Sequence, residues 1–406
     1  MSTFPPVDEQ LEVLQRGAAQ IETVAELRRK LEQSAATGKP LRVKYGIDPT
    51  GFDVHLGHTV PLRKLRQFQA FGHTAVLIIG TATAEVGDPS GRDAARQGLT
   101  REQIAANAAS YLTQIARVVD VSRAEVRPNG DWFHGFTFAQ MLRLLGSMTV
   151  QRMLERDDFS KRLEAGTPIY LHECLYPLMQ GQDSVEIHAD VELGGTEQLF
   201  NLMVGRNLQR DAGQPPQVAF TLPILRGLDG VQKMGKSLGN YVGLNESPKD
   251  QFGKTMRIPD ELMREWFTLL TDRSAADIDA VLAGHPGEAK KTLAADIVAF
   301  YHGPDVAAAT RADFDRQFKD KSDPADILDV AIPAAEFVGG VIAAPKLLAL
   351  AGLTKSSSEA RKKIEEGAVN VGPDRVKLAD WKQTLTLPAE GLVVRLGRQT
   401  VRVKMG

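Results

Sequence analysis

Residues 41–58 have the sequence LRVKYGIDPTGFDVHLGH, and this stretch decides the fold. Its first seven residues alternate in polarity and stop at the turn formers DPTG, which predicts a strand that enters a loop. A helix is predicted from Gly57 to Phe71, with Gly72 at its end. The apolar run 74–80 then predicts a strand that is buried on both faces of a parallel sheet.

The same alternation continues along the chain. A helix is predicted from about Thr100 to Val119, and strands and helices alternate to about residue 225, which predicts a doubly wound α/β domain. Residues 248–318 have a helical pattern without a clear strand. Residues 319–340 are rich in Asp, Pro, Ala and Gly and are expected to form a linker to a C-terminal module.

The composition excludes several classes of protein. The chain has 406 residues, of which 43% are hydrophobic and 25% charged, as in globular proteins of two or three domains. The sequence has no run of about 18 apolar residues, so it predicts no transmembrane helix and no membrane partner is expected. Cys174 is the single cysteine, which excludes an internal disulfide and a cysteine-based zinc site. The first residues lack the features of a secretory signal, and a reducing cytoplasm is the expected compartment.

Charge is unevenly distributed along the chain. The net charge is −2, but residues 341–406 contain twelve Lys/Arg and six Asp/Glu, so this module carries +6 and the rest −8. A basic module on an acidic body indicates a polyanion partner, most simply a nucleic acid. The alternative is a solvated basic surface.

His55 and His58 stand at the predicted start of a helix. Free backbone N–H groups and the helix dipole favour phosphate there, and both side chains can face a ligand that lies over the terminus. Gly57 between them leaves room for a flat ring against the backbone. A metal site is the alternative interpretation, but no third ligand is suitably spaced.

Lys233, Lys236 and Ser237 belong to the sequence KMGKS. Together with Gly230 it also fits the phosphate-binding loop pattern, which requires a strand before it and a helix that opens at the lysine and serine. Residues 222–225 are a plausible strand, but the glycines and proline that follow do not propagate a helix. We therefore predict a mobile glycine-rich loop with two lysines, with a solvated basic turn as the alternative.

Tyr176, Gln180 and Asp183 are spaced i, i+4 and i+7, which places them on one face of a predicted helix. A hydroxyl, an amide and a carboxylate on a single face indicate a recognition site rather than a core stripe. The alternative is that the three polar residues share a solvent-exposed helix face by chance and bind no ligand.

Taken together, these motifs resemble the tyrosyl-tRNA synthetases, a family of class I aminoacyl-tRNA synthetases. The ordered pair HLGH and KMGKS is typical of the class. Four further stretches narrow the resemblance to the family: GIDPT at 46–50, GDPSG at 87–91, YPLMQGQD at 176–183 and GGTEQ at 194–198. The resemblance extends from about residue 40 to the C-terminus and is closest to the bacterial form.

The resemblance implies a three-part organisation. Residues 1–245 would form a Rossmann-like catalytic domain with a doubly wound parallel sheet and the KMGKS loop at its end. Residues 246–325 would form an α-helical domain that faces the anticodon stem. Residues 341–406 would form a small α+β RNA-binding domain.

The resemblance also implies a division of the site residues. Tyr176, Gln180 and Asp88 would hold the amino group of tyrosine, Asp183 would accept the hydrogen bond of its phenol hydroxyl, and Gln198 would lie near its carboxylate. The ATP site would comprise Gly46, Asp48, Thr50, Gly57, Arg92, Arg96, Gly195, Glu197 and Ser237. His55, His58, Lys233 and Lys236 would stabilise the phosphates during catalysis.

The chemistry that the resemblance implies needs only positioning and charge. The tyrosine carboxylate is already ionised at pH 7, and it attacks the α-phosphorus of ATP. ATP enters as a substrate with Mg²⁺, and neither a tightly bound cofactor nor a metal site in the protein is expected. The rate enhancement then comes from positioning and from the neutralisation of phosphate charge.

The C-terminal module has its own predicted elements. Ser356 to Glu359 form a capping box before a helix that ends at Gly367, and this helix carries Arg361, Lys362 and Lys363 close to Lys355. Residues 392–404 predict a hairpin around Gly397 and Arg398. The module resembles an RNA-binding fold that is shared with a small-subunit ribosomal protein. The implied partners are tRNA(Tyr), L-tyrosine, ATP and a second copy of the chain in a homodimer.

Two positions depart from the family pattern, and three other functions remain as alternatives. Glu197 replaces the usual aspartate, and Lys44 replaces a tyrosine that shares the phenol contact in many members. The alternatives are the tryptophan enzyme of the same class, an RNA-binding protein that has lost catalysis, and a phosphate-loop NTPase.

Overall fold

The computed structural model describes residues 4–49, 54–89, 100–318, 327–397 and 399–406. The chain divides into two compact units, Met1–Ala307 and Ala308–Gly406, and each is described by itself. No helix in these ranges is both long enough and apolar enough to cross a membrane.

The first unit is built on one six-stranded sheet. Its strands are β1 (Gln20–Glu22), β2 (Arg42–Ile47), β3 (Thr74–Ile79), β4 (Glu125–Pro128), β5 (Val191–Gly195) and β6 (Val218–Leu222). They lie in the order β1-β6-β5-β2-β3-β4, and β2 to β6 are all parallel, whereas β1 adds antiparallel to β6. The strand order reverses between β2 and β5, and crevices at such switch points bind ligands in doubly wound sheets.

Helices cover both faces of this sheet. Up to the end of the sheet they are α1 (Val7–Gln15), α2 (Val24–Thr37), α3 (Leu56–Ala70), α4 (Thr83–Val86), α5 (Arg101–Ile115), α6 (Gly130–Phe133), α7 (Phe138–Gly146), α8 (Val150–Leu154), α9 (Asp157–Glu164), α10 (Leu175–Glu186) and α11 (Leu199–Asp211). Neighbouring residues of a strand point to opposite faces, so Leu77 joins the core that contains Phe68, whereas Ile78 packs with Ile187. The predicted doubly wound α/β sheet is confirmed.

Five further helices follow the sheet. They are α12 (Pro248–Thr255), α13 (Met263–Leu270), α14 (Ala275–Leu282), α15 (Pro286–His302) and α16 (Pro304–Phe318). The expected absence of a strand holds for residues 248–318, which are all described. Trp266 and Phe267 are fully buried and belong to the same core as Phe68, so α13 packs against the sheet unit.

Element boundaries agree with the local signals in the sequence. α3 ends just before Gly72, which has the positive φ of +94° that glycine adopts without strain. α5 begins after Thr100, whose side chain accepts from the Gln103 N–H while the Gln103 side chain accepts from the Thr100 N–H. It ends at Ile115 rather than at the expected Val119.

The second unit is an α+β fold. After the end of α16, which this unit also contains, its helices are α17 (Ala344–Leu350) and α18 (Ser357–Glu365). Its strands are β7 (Leu328–Ile332), β8 (Val341–Ala343), β9 (Val369–Val371), β10 (Val376–Lys377), β11 (Thr384–Thr386), β12 (Leu392–Leu396) and β13 (Gln399–Met405). The main sheet has the order β10-β9-β12-β13-β7, and β11 pairs with β8. The predicted hairpin is confirmed, since β12 and β13 are antiparallel and Gly397 has a φ of +59°.

Two expectations for this unit were wrong. Leu328–Ile332 is not linker but β7, which pairs in parallel with β13. This pairing joins residues about 70 positions apart, so local composition could not reveal it. The capping box is only half formed, because Ser356 accepts from the Glu359 N–H, whereas the Glu359 carboxylate accepts from the Lys355 N–H.

Candidate functional site

A cavity of about 220 Å³ lies at the switch point of the sheet. It opens at the carboxyl ends of β2 and β5, where Gly46 and Gly195 lie. Nine of the residues named from the sequence line it: Gly46, Asp48, Asp88, Tyr176, Gln180, Asp183, Gly195, Glu197 and Gln198. Its volume is below the 300–1,000 Å³ that is common for drug-sized ligands, which suits a ligand as small as an amino acid.

Helix α10 supplies the polar stripe of this cavity. Tyr176 and Asp183 are 7% and 3% exposed, and Gln180 is half-buried between them. The helix can lie close to α11 because position 181 is glycine: a Cβ there would be 3.1 Å from the backbone nitrogen of Gly205. The predicted helical face is therefore confirmed, and its three polar side chains line one cavity.

Asp183 lies in an enclosed environment that the sequence did not reveal. Trp132 Nε1 donates to Asp183 Oδ1 at 3.1 Å, and Asn129 Nδ2 approaches Oδ2 at 3.4 Å. Burial raises the pKa of Asp183 to about 7 against the opposing effect of the Lys44 charge and these hydrogen bonds. Asn129 and Trp132 follow directly after β4, and polar residues at a strand's carboxyl end were the available signal.

Asp48 connects β2 to the other side of the cavity. Its carboxylate accepts from the Tyr176 hydroxyl at 2.9 Å and from the Thr83 hydroxyl at 2.8 Å. Gly80 is needed for this approach, since a Cβ there would lie 1.9 Å from Asp48 Oδ1. Burial and the nearby carboxylates raise the pKa of Tyr176 well above its usual value, so its hydroxyl stays protonated. Because the hydroxyl donates to Asp48, its lone pairs remain available to a ligand.

Lys44 is fully buried and does not replace the missing tyrosine as a ligand of the cavity. Its Nζ lies 2.8 Å from Glu192 Oε1, and it donates to the Gln180 carbonyl at 2.6 Å and to Ser184 Oγ at 2.8 Å. Lys44 and Glu192 are 0% and 1% exposed, so each charge depends on the other. This ion pair ties β2 and β5 to the helix that carries Gln180 and Asp183.

His55 and His58 lie at the start of α3, as the sequence indicated. Their rings are stacked with centroids 3.8 Å apart, and the His55 backbone N–H donates to His58 Nδ1 at 3.2 Å. Burial, helped by His58 and Lys236, lowers the pKa of His55 to about 3, and burial and Lys236 lower that of His58 to about 4. Both are neutral at pH 7. Since His58 Nδ1 accepts, the proton of its neutral ring is on Nε2, which can donate to a ligand.

The loop with Lys233, Lys236 and Ser237 is exposed and lies against this helix terminus. The Lys236 charge acts on both histidines, and a Cβ on Gly57 would lie 3.5 Å from Met234 Cβ and 3.0 Å from the His55 ring. Asn240, which the sequence argument missed, holds the loop: its Nδ2 donates to Asp229 and to the Lys233 carbonyl, and its Oδ1 accepts from Gly235. Residues 223–247 contain no helix, which argues against a phosphate-binding loop.

A larger open cleft of about 880 Å³ adjoins the cavity through Glu197, which lines both. Basic and acidic side chains line its walls in equal number, among them Arg152 paired with Glu155 and the buried Arg156 paired with Asp158. Arg152 and Arg156 both lie within 6 Å of the Phe200 ring centroid.

The basic residues of the second unit lie on and before α18. Lys355, Arg361 and Lys362 are exposed, whereas Lys363 is half-buried and pairs with Glu366 at 2.8 Å. The Arg361 guanidinium lies 4.5 Å from the centroid of the Trp381 ring. Three residues named from the sequence, Thr50, Arg92 and Arg96, lie outside the described ranges.

Comparisons with known proteins show the family of the chain. A family model described as class I tRNA synthetases (W and Y) matches residues 36–319. A tyrosine–tRNA ligase of Symbiobacterium thermophilum is 51% identical over 402 residues, which cover 98% of this chain and 97% of that protein. One of Bordetella pertussis is 46% identical over 407 residues, which cover 99% and 97%.

Solved structures show the same fold. A C-terminally truncated mitochondrial tyrosyl-tRNA synthetase of Aspergillus nidulans matches with a TM-score of 0.61 at 22% identity, over 77% of this chain and 99% of that one. The tyrosyl-tRNA synthetase of Archaeoglobus fulgidus complexed with L-tyrosine matches with a TM-score of 0.60 at 22% identity, over 76% and 100%. The length and identity of the sequence matches place the chain in the class I tRNA synthetases of the tryptophan and tyrosine group, as a member of the tyrosine–tRNA ligase family.

Proposed function

We propose that this chain activates L-tyrosine with ATP to tyrosyl-adenylate and pyrophosphate, and then transfers tyrosine to the 3′ end of tRNA(Tyr). The observation that carries the proposal is the buried Asp183 carboxyl in a cavity of amino-acid size, with further acceptors on the same helix. A phenol hydroxyl that donates to Asp183 distinguishes tyrosine from phenylalanine.

The amino group of tyrosine would be held by three acceptors. Tyr176 offers its oxygen because its proton is donated to Asp48, Gln180 offers its amide oxygen, and Asp88 offers its carboxylate. An ammonium group has three N–H donors and no acceptor, so this set is complementary to it. Gln198, which donates to Asp88 at 2.9 Å, would face the substrate carboxylate.

The ATP phosphates would lie between the start of α3 and the KMGKS loop. His55 and His58 would act as neutral hydrogen-bond donors, since their pKa values lie near 3 and 4. Lys233, Lys236 and Ser237 would supply the positive charge and a hydroxyl, with Arg92 and Arg96 as further cations.

The remaining ATP contacts would come from the sheet edge and the residues after it. Gly46, Asp48, Thr50 and Gly57 would line the nucleotide, with Gly57 under the adenine, and Gly195 and Glu197 would reach the ribose. Mg²⁺ would arrive with the ATP phosphates, and no step needs a protein nucleophile. A donor that strengthens only in the transition state contributes about 10²–10³ in rate.

The products formed from ATP test this proposal against its alternatives. Incubation with tyrosine, ATP and tRNA should give AMP and pyrophosphate, because the α-phosphorus is attacked. Formation of ADP would instead support a phosphate-loop NTPase. The tryptophan enzyme predicts the same products with tryptophan, and an RNA-binding protein without catalysis predicts neither.

We also propose the division of labour along the chain that the sequence indicated. Residues 1–245 would perform catalysis, residues 246–325 would face the anticodon stem, and residues 341–406 would bind RNA through Lys355, Arg361, Lys362 and Lys363. The cytoplasm would be the compartment, because tRNA charging serves translation there.

A homodimer is the oligomeric state that the surface of α7 supports. Phe138, Leu142 and Leu145 are 77%, 52% and 42% exposed, and their i, i+4, i+7 spacing makes one apolar stripe. Such contiguous apolar surface usually marks an interface, and an interface with a second copy buries the same stripe on both.

The double variant Phe138→Asp/Leu142→Asp should therefore be monomeric, because two carboxylates on each side would be buried without partners. Sedimentation should give about twice the chain mass of 44.3 kDa for the wild type and the mass of one chain for the variant. A monomeric wild type, or a variant that remains dimeric, would contradict this assignment.

A further inference from the structure

A continuous line of amide side chains runs behind the proposed amino-acid site. Asn201 Nδ2 donates to Gln180 Oε1 at 2.9 Å and to Gln198 Oε1 at 3.0 Å. Gln180 Nε2 donates to Glu192 Oε1 at 3.0 Å, and Gln198 Nε2 donates to Asp88 Oδ2 at 2.9 Å. Asn201 is 1% exposed and is not among the residues that line the 220 Å³ cavity. It therefore contacts both glutamines from behind.

The orientation of an amide follows from the hydrogen-bond roles of its neighbours, because its oxygen only accepts and its nitrogen only donates. Both oxygens of Glu192 face donors, because Oε1 lies 2.8 Å from Lys44 Nζ and Oε2 accepts from Ser184 Oγ and Gln217 Nε2. Gln180 must therefore turn its nitrogen towards Glu192 and its oxygen away from it. For the same reason, the nitrogen of Gln198 points towards the Asp88 carboxylate.

Asn201 is oriented from the opposite side. Arg156 NH1 donates to Asn201 Oδ1 at 2.9 Å, and a guanidinium has no acceptor. The amide nitrogen of Asn201 must then point towards the two glutamines, and its two N–H groups match their two oxygens. Arg156 itself is 3% exposed and is held by Asp158 at 3.0 Å.

We propose that Asn201 is a positioning residue for tyrosine activation, which fixes Gln180 with its oxygen presented to the substrate ammonium and Gln198 with its nitrogen presented to Asp88. The inference rests on the proposed function and adds to it a residue that does not contact the substrate. Each amide oxygen has two acceptor positions, so Gln180 can accept from Asn201 and from the ammonium together. Without the N–H groups of Asn201, nothing in this chain of contacts holds either oxygen in place.

Asn201→Asp tests the proposal with almost no change in shape. The new carboxylate still pairs with Arg156, but it places an acceptor against two acceptors, and neither glutamine can turn without losing Glu192 or Asp88. The loss of a hydrogen bond to a charged group is worth about 10- to 150-fold in binding. The KM for tyrosine in ATP–pyrophosphate exchange without tRNA should rise by about this factor, while the KM for ATP should change less than about twofold.

Two competitive inhibitors separate positioning from general damage to the pocket. Tyramine carries the phenol and the ammonium, whereas 4-ethylphenol carries the phenol alone. In Asn201→Asp the Ki of tyramine should rise together with the KM of tyrosine, and the Ki of 4-ethylphenol should not change. A rise in both Ki values, or tighter binding of tyramine through the added charge, would overturn the proposal.

Asn207→Asp is the matched control. Asn207 lies on the same helix, is exposed, and accepts from Arg210 NH1 at 2.8 Å in the way that Asn201 accepts from Arg156. It should leave all these constants unchanged. If Asn201→Asp fails to fold, Asn201→Ala should still raise the Ki of tyramine more than that of 4-ethylphenol, and equal effects would refute the inference. A wild type without tyrosine-dependent exchange would instead refute the proposed function.

Discussion

At the scale of single residues, Asp183 has both the proposed contact with the phenol hydroxyl and a raised pKa. Its carboxyl is buried, yet Trp132 and Asn129 leave it only partly compensated, so burial holds its pKa at about 7. The stripe on α10 was predictable from spacing alone. Trp132 and Asn129 were not, because they reach Asp183 from about 50 positions earlier in the chain, through the pairing of β3 with β4.

Asp183→Ala should sharply reduce the preference for tyrosine over phenylalanine. The variant loses a hydrogen bond to a charged group, worth about 1.5–3 kcal/mol, so kcat/KM for tyrosine should fall about 10- to 150-fold. The kcat/KM for phenylalanine should rise relative to that for tyrosine. The family is the standard example of discrimination between tyrosine and phenylalanine, which is on the order of 10⁵ in family members. Pyrophosphate exchange with both amino acids measures the ratio.

The control for that ratio is Asp211→Ala, which removes an exposed carboxylate from α11. Its discrimination should equal that of the wild type. An unchanged ratio in Asp183→Ala would sink the assignment of the phenol contact.

Tyrosine affinity should fall as the pH drops below about 7. Only the ionised form of Asp183 leaves both oxygens free to accept from the phenol, and the folded-state pKa is raised, so protonation begins near neutrality. The weakening should approach tenfold for each pH unit. His55 and His58 stay neutral over this range, because their pKa values are about 3 and 4.

Equilibrium binding of tyrosine without ATP, between pH 5 and 8, measures this dependence. The Asp183→Asn variant should bind weakly at every pH. A wild-type affinity that is constant from pH 5 to 8 would show that Asp183 does not titrate there.

At the scale of elements, the proposed catalysis depends on the meeting of a helix terminus with a loop about 180 residues later. The sequence indicated both parts and their order, since each has its own motif. It could not indicate Asn240, whose amide holds Gly235, the Lys233 carbonyl and Asp229 together. Local signals also failed at Leu328–Ile332, where only pairing with β13 makes a strand.

Lys236→Ala should slow tyrosine activation without weakening tyrosine binding. Lys236 carries charge towards the histidines at the phosphate end of the site, and transition-state contacts of this kind are worth about 10²–10³ in rate. Exchange kinetics should show the loss in kcat, with equilibrium binding of tyrosine unchanged. The control Lys249→Ala removes an exposed lysine of α12 and should have no effect. Weaker tyrosine binding in Lys236→Ala would contradict this role.

At the scale of the whole molecule, we propose separate tasks for the two units. The cavity and the KMGKS loop belong to the first unit, whereas the basic helix α18 belongs to the second. The excess positive charge of the C-terminal module was predictable by counting residues, and so was its hairpin. Its main sheet was only partly predictable, since β7 joins it from the stretch expected to be a linker.

The double variant Lys355→Ala/Lys362→Ala should weaken tRNA binding and leave activation unaffected. Each lost phosphate contact reduces the slope of log K against log salt by about one. Aminoacylation at several salt concentrations should show a higher KM for tRNA and a shallower slope, with unchanged pyrophosphate exchange. Lys39→Ala, an exposed lysine of the first unit, is the control. An unchanged salt slope in the double variant would exclude these lysines from the RNA interface.

The most direct test of the central claim is pyrophosphate exchange into ATP, measured with each of the twenty amino acids and without tRNA. Exchange that depends on tyrosine alone is the predicted result, because it requires both the adenylate chemistry and the Asp183 pocket. Exchange with tryptophan would keep the class of enzyme and contradict the pocket. A folded protein that binds RNA but exchanges with no amino acid would contradict the account as a whole.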